Sequence, residues 1–194
     1  DVCAWRRVET DHCVARTMIK ASEWLERHYK ELFLLYVDTW DPHEPWDAPP
    51  YYTEIYAQDY DGEIVQPPYA RWQEVPGMTE ELVHKAHATY CGSVTMVDTW
   101  IGYLLRRVEN MGLLDRTAIV FTSDHGFYFG EHGGILGKMV LAKRADGHPY
   151  TIGDSNSQWD HSPLYEDVVA VPRMIMTPDS GAGSYAGLTS AVDV

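Results

Sequence analysis

The stretch Ala118-Ile119-Val120-Phe121-Thr122-Ser123-Asp124-His125-Gly126 decides how this chain is read. An apolar, β-rich run too short for a helix stops abruptly at a carboxylate, an imidazole and a glycine. That is the pattern of a buried strand whose carboxyl end opens into a turn. Neighbouring strand residues face opposite ways, but a turn at the strand end can aim Asp124 and His125 at one ion, with Gly126 permitting the tight bend. The alternative makes Asp124 the cap of a following helix and His125 a surface residue.

Working outward, Thr79-Glu80-Glu81 begins a helix whose apolar residues recur through Val94, Val97, Ile101, Leu104, Leu105 and Val108, with Gly112 as its C-terminal cap. Upstream, Leu32-Phe33-Leu34-Leu35-Tyr36-Val37 has no alternation and reads as a strand buried on both faces. The prolines of Asp38-Thr39-Trp40-Asp41-Pro42-His43-Glu44-Pro45-Trp46 end it. Before it, residues from Cys13 to Tyr29 form a helix with Val14, Met18, Ala21 and Leu25 on one stripe. Downstream, Val171-Pro172-Arg173-Met174-Ile175-Met176 is a third strand candidate. Residues 47–78 and 126–163 lack a sustained period, and 180–187 reads as a loop; long irregular stretches of this kind are functional or mobile.

Alternating helix and buried strand is the rhythm of an α/β fold with a mostly parallel central sheet. Ligands in such sheets sit beyond the carboxyl ends of the strands. Asp38, Asp41 and His43 follow one strand at that end, and Asp124 and His125 follow the other.

Composition narrows the function. The 194 residues are 45% hydrophobic and 23% charged, which is ordinary for a globular protein. A formal net charge of −14 argues against nucleic-acid binding, which runs on phosphate neutralisation by Lys and Arg. It also means that an anionic substrate needs a local cationic site, which a bound metal supplies. No apolar run is long enough to span a bilayer, and the first residues lack the layout of a signal peptide. Cys3, Cys13 and Cys91 form neither a disulfide framework nor a zinc motif.

Two further side chains are candidates for chemistry. His43, between Pro42 and Pro45, sits in a stiff segment suited to acid or base work or, more plainly, is a loop histidine. Lys138, in Gly133-Gly134-Ile135-Leu136-Gly137-Lys138, can approach an anion through flexible glycines or simply be solvated. His132, His148 and His161 read as structural or exposed. The Tyr and Trp residues of 46–72 form either a stacking wall for an aryl or sugar group or satellite core.

The segments 33–37 with 41–46, Tyr90 to Arg107, 112–117, 122–126, 130–138, and 164–167 with Val171-Pro172 recur in this order and spacing in one family. The chain from about residue 13 onward resembles the sulfatases of the alkaline-phosphatase superfamily. The resemblance implies a three-layer alkaline-phosphatase-like α/β fold, incomplete in this chain. Residues 1–194 would be a partial catalytic domain without its N-terminal nucleophile region and C-terminal subdomain. It implies hydrolysis of small-molecule or carbohydrate sulfate esters, with phosphate or phosphonate esters as the alternative. A non-catalytic module that binds an anion or a partner is a third possibility.

By the same resemblance, Asp124 and His125 occupy positions of two metal ligands, His43 that of a histidine touching the sulfate or assisting the leaving group, and Lys138 that of a lysine on the sulfate oxygens. The metal is usually calcium; His125 in place of the Asn of many relatives also suits zinc or manganese. The family nucleophile is a formylglycine made from cysteine in Cys-x-Pro/Ala-x-Arg. Cys3-Ala4-Trp5-Arg6-Arg7 and Cys13-Val14-Ala15-Arg16-Thr17 each break that pattern and lie too near His43, so the formylglycine is expected upstream. Residues 143–162 resemble an insertion.

Overall fold

The computed structural model describes residues 6–149, 158–179 and 181–190. Cys3 and its motif lie largely outside them.

Helix α1 (Cys13–His28) forms where the apolar stripe predicts it, and Val14, Met18, Ala21 and Leu25 are all buried. Its first turn is satisfied from a distance, because the Val14 N–H donates to Asp41 Oδ2 at 2.7 Å. A carboxylate at this end pairs an otherwise orphaned amide and complements the helix dipole. Asp41, grouped at first with the strand-tip acids, is therefore a helix-capping residue.

Helix α3 (Glu80–Asn110) starts at Thr79, whose side chain accepts from the Leu82 N–H, and Gly112 at φ 67° lets the chain turn away at its end. Against α3 pack α1 and the short helix α2 (Pro50–Thr53). Val14, Met18, Tyr52, Met96 and Val97 form one core cluster, and Leu25, Val108 and Leu113 another.

Strands β2 (Ile119–Thr122) and β5 (Arg173–Met176) pair antiparallel, with Phe121 opposite Met174. A second sheet sets β4 (Ile135–Gly137) between β1 (Ala70–Arg71) and β3 (Tyr128–Phe129), again antiparallel. Every strand pairing among the described residues is antiparallel, so the parallel sheet expected from the helix–strand rhythm is not built from these strands alone.

Residues 32–37 differ from expectation. They are assigned neither helix nor strand, and their exposure alternates. Phe33, Leu35 and Val37 pack against the helical clusters, whereas Leu32, Leu34 and Tyr36 stand in solvent. Strand β2 behaves alike: Ile119 packs inward, while Val120 and its partner Ile175 are exposed. An apolar run without alternation specifies two apolar faces, and among the described residues α1 and α3 cover one.

Trp46 joins the pieces that matter for function. It is 2% exposed, with its ring 5.0 Å from Phe127, 5.2 Å from Phe129 and 5.7 Å from Tyr90. Its indole N–H donates to the Pro42 carbonyl at 2.9 Å. The aromatics of 46–72 thus divide: Trp46, Tyr52 and Tyr69 are core, and Tyr51 and Tyr56 are exposed. Trp46→Ala is expected to cost about 3–5 kcal/mol of stability, read as a lower denaturation midpoint in guanidinium chloride.

Candidate active site

His43 is fixed by contacts on several sides. Its backbone N–H donates to the Trp40 carbonyl at 2.9 Å, and the Trp40 ring stacks on the imidazole at 4.1 Å. Nδ1 lies 2.7 Å from the Glu44 carbonyl oxygen. A carbonyl only accepts, so Nδ1 carries the proton and the neutral ring offers Nε2 as an acceptor. Lys138 Nζ meets that Nε2 at 3.0 Å.

Lys138 arrives from the end of β4. Gly137, at φ 150°, permits a close approach there, since a Cβ would lie 2.9 Å from the Tyr69 Cα. Residues 95 apart in sequence are thus joined by a hydrogen bond. The structure adds two groups to this pair, the buried Glu44 carboxylate and the Tyr69 hydroxyl that donates to it. Glu44 was visible only as a motif letter beside His43. An acidic residue beside a candidate anion-binding histidine is the one signal that singles it out. Tyr69, distant in sequence, had none.

Asp124 and His125 converge as a turn at a strand end allows. Asp124 Oδ1 accepts from the His125 N–H at 2.8 Å, and His125 Nδ1 donates to the Gly126 carbonyl at 2.9 Å. That bond leaves Nε2 as a lone-pair donor 3.5 Å from Asp124 Oδ2. Slight desolvation works against the Asp124 anion, but hydrogen bonds from the His125 amide and the Ser123 hydroxyl, with the His125 charge whenever its ring is protonated, outweigh it and hold its pKa below the usual carboxylate value. An imidazole anchored through its other nitrogen is the arrangement that orients metal ligands. At ligand distances of roughly 2.0–2.5 Å, two donors so spaced can share one ion. Among the described residues no group of three or more His, Cys, Asp or Glu converges, so this pair suits a divalent ion as two of its ligands and does not complete a site.

Gly126 serves a different purpose from the one inferred from sequence. Its φ is not left-handed; instead its N–H donates to the Val168 carbonyl at 2.8 Å, and any Cβ would strike the Asp167 carbonyl. The glycine is needed for close backbone contact with the short helix α4 (Glu166–Val169). Nearby, His132 Nε2 bonds Asp167 Oδ2 at 2.6 Å and stacks on Tyr165 at 3.8 Å. The His132 bond lowers the Asp167 pKa. His148 reaches the Glu74 carbonyl and His161 pairs with Asp160, so each of these three histidines has a local partner.

Among the described residues no hydrogen bond links His43–Lys138 to Asp124–His125. Aromatic packing does connect their segments: Phe127 lies 5.0 Å from Trp46 and 6.0 Å from Tyr69.

A cationic amine paired with an imidazole suits an anion, and a carboxylate–imidazole pair suits a cation, the two kinds of group that an anion-handling site combines. The sulfatase family model matches residues 8–194, and the chain belongs to the sulfatase family. Over 148 residues it is 29% identical to the multifunctional alkaline phosphatase superfamily protein PehA of Trinickia caryophylli, covering 63% of this chain and 29% of that protein. Iduronate 2-sulfatase of Mus musculus is 36% identical over 95 residues, or 48% of this chain and 17% of that protein. Phosphonate monoester hydrolase of Agrobacterium radiobacter superposes with a TM-score of 0.63 at 19% identity, over 89% of this chain and 34% of that one. The fold is accordingly α/β and alkaline-phosphatase-like, and the chain spans about a third or less of the length of these relatives.

Gly126→Ala is expected to cost about 1–3 kcal/mol, because backbone cannot yield as a side chain does. Amide hydrogen exchange at residues 124–126 should accelerate, since the N–H to Val168 is lost.

Proposed function

We infer that the protein carrying this chain hydrolyses sulfate esters. The observation that supports this reading best is the 3.0 Å contact between Lys138 and His43, which sets a cation and a proton-exchanging ring side by side in an acidic protein. Lys138 would offset charge on the non-bridging oxygens of the ester. As the nucleophile's oxygen bonds to sulfur and the S–O bond to the leaving group breaks, the proton shared by Lys138 Nζ and His43 Nε2 would pass to the leaving oxygen. Asp124 and His125 would hold a divalent cation, calcium first with zinc or manganese as alternatives. When bound, such an ion would supply positive charge for an anionic ester. Neither Cys13 nor Cys91 stands in a Cys-x-Pro/Ala-x-Arg pattern, so a formylglycine upstream of Asp1 would be the nucleophile.

The relatives' names favour sulfate esters, and those of sugars in particular: iduronate 2-sulfatase and N-acetylglucosamine-6-O-sulfatase are among them. The fold shared with a phosphonate monoester hydrolase supports phosphate or phosphonate esters as a second reading. Rates on matched aryl sulfate, phosphate and phosphonate esters separate the two; faster turnover of the phosphorus esters would reverse the order.

His43→Ala and Lys138→Ala in the intact protein are each expected to lower kcat about 10²–10³-fold; the thermal midpoint should hold in His43→Ala and fall in Lys138→Ala, which leaves the buried Glu44 carboxylate without its cation. Near-wild-type turnover in both would remove the role assignment. A ligand at a hundred times its Kd stabilises the native state by about 2.7 kcal/mol. Calcium, zinc or manganese should therefore raise the thermal midpoint, and Asp124→Ala should abolish the rise. No response to any divalent ion would favour a non-catalytic anion- or partner-binding role.

A further inference from the structure

Lys138 is held from two sides by groups outside its own strand. Nζ lies 3.0 Å from His43 Nε2 and 3.5 Å from Glu44 Oε1. The Glu44 side chain is only 8% exposed, and Oε1 also accepts the Tyr69 hydroxyl. Its other oxygen stands 3.4 Å from His43 Nδ1. The backbone carbonyl of the same residue, 2.7 Å from Nδ1, makes Nε2 the acceptor that Lys138 meets. One residue thus touches both members of the pair.

A carboxylate so buried is costly unless it is paired, and Lys138 is the cation within reach. An ammonium has three N–H groups. One turns to His43 in a hydrogen bond, while Glu44 Oε1 at 3.5 Å acts on Lys138 through its charge.

We propose that Glu44, buttressed by Tyr69, is the positioning residue of this site. It aims Lys138 and His43 together and offsets part of the ammonium charge, so a free anion is held less tightly than the bare cation would hold it. Fast release of an inorganic anion after cleavage follows from that restraint. The proposal rests on the sulfate-ester reading for what the site does, but its geometry stands apart from that reading.

Glu44→Gln and Tyr69→Phe in the intact protein test it. Glutamine keeps the shape and an oxygen for the Tyr69 hydroxyl while removing the charge. Spectra of ¹⁵N-histidine-labelled protein should show His43 protonated at Nδ1 with Nε2 as an acceptor. In Glu44→Gln the Nε2 hydrogen bond should weaken while Nδ1 stays protonated, because the backbone carbonyl remains. Inorganic sulfate should bind about tenfold tighter to Glu44→Gln, and kcat on an aryl sulfate should fall about tenfold with KM unchanged or lower. Tyr69→Phe keeps the charge, so sulfate affinity should hold while kcat falls less. A residue with only a structural role would lose sulfate affinity, kcat and thermal stability in step, and that result overturns the proposal. So does an unchanged His43 Nε2 signal in Glu44→Gln. Should that variant not fold, the Nε2 signal of Tyr69→Phe decides: weakening supports the proposal and no change overturns it. If the wild type turns over no sulfate ester, the functional reading alone fails, and the spectra and sulfate binding still judge Glu44.

Discussion

The burial of Trp46 is the contact on which the rest of the site depends. Its ring is wedged against Phe127, Phe129 and Tyr90, and its N–H holds the Pro42 carbonyl. One side chain therefore anchors the loop that carries His43 to the segment that follows Asp124 and His125. Such a cluster offers large apolar burial with defined ring geometry, which makes it stiffer than a loop anchored by hydrogen bonds alone. The indole N–H finds a backbone acceptor, so the wedge leaves no polar atom of its own unpaired.

On that frame the electrostatics divide between two pairs. In a chain with net charge −14, a lone exposed lysine would be a weak lure for an anion. Lys138 is instead half-sheltered beside a buried carboxylate and an imidazole, where its interactions are less screened by water. Asp124 and His125 stay close to solvent, each tied to neighbouring backbone. One pair is preorganised by long-range packing and the other by its own turn.

The open apolar surface has the same logic. Leu32, Leu34, Tyr36, Val120 and Ile175 are exposed, while Phe33, Leu35, Val37 and Ile119 pack against the helical clusters. The runs that contain them are apolar on both faces, and their exposure records which layer the described residues supply.

Local pattern determined what local physics controls. Helices α1 and α3, the strands at 119–122 and 173–176, and the tip at Asp124 and His125 follow from periodicity, caps and strand length. The motif order likewise pointed to the sulfatase family, to which the chain belongs. Tertiary structure alone decided partners distant in sequence. Asp41 became a cap for α1 and Gly126 a seat for the Asp167 carbonyl. Glu44 and Tyr69 gathered around Lys138, and the run at 32–37 stayed outside any ladder. Periodicity reports which faces of an element are apolar; it carries no information on which distant backbone or side chain will meet them, because that is settled by packing of the whole chain.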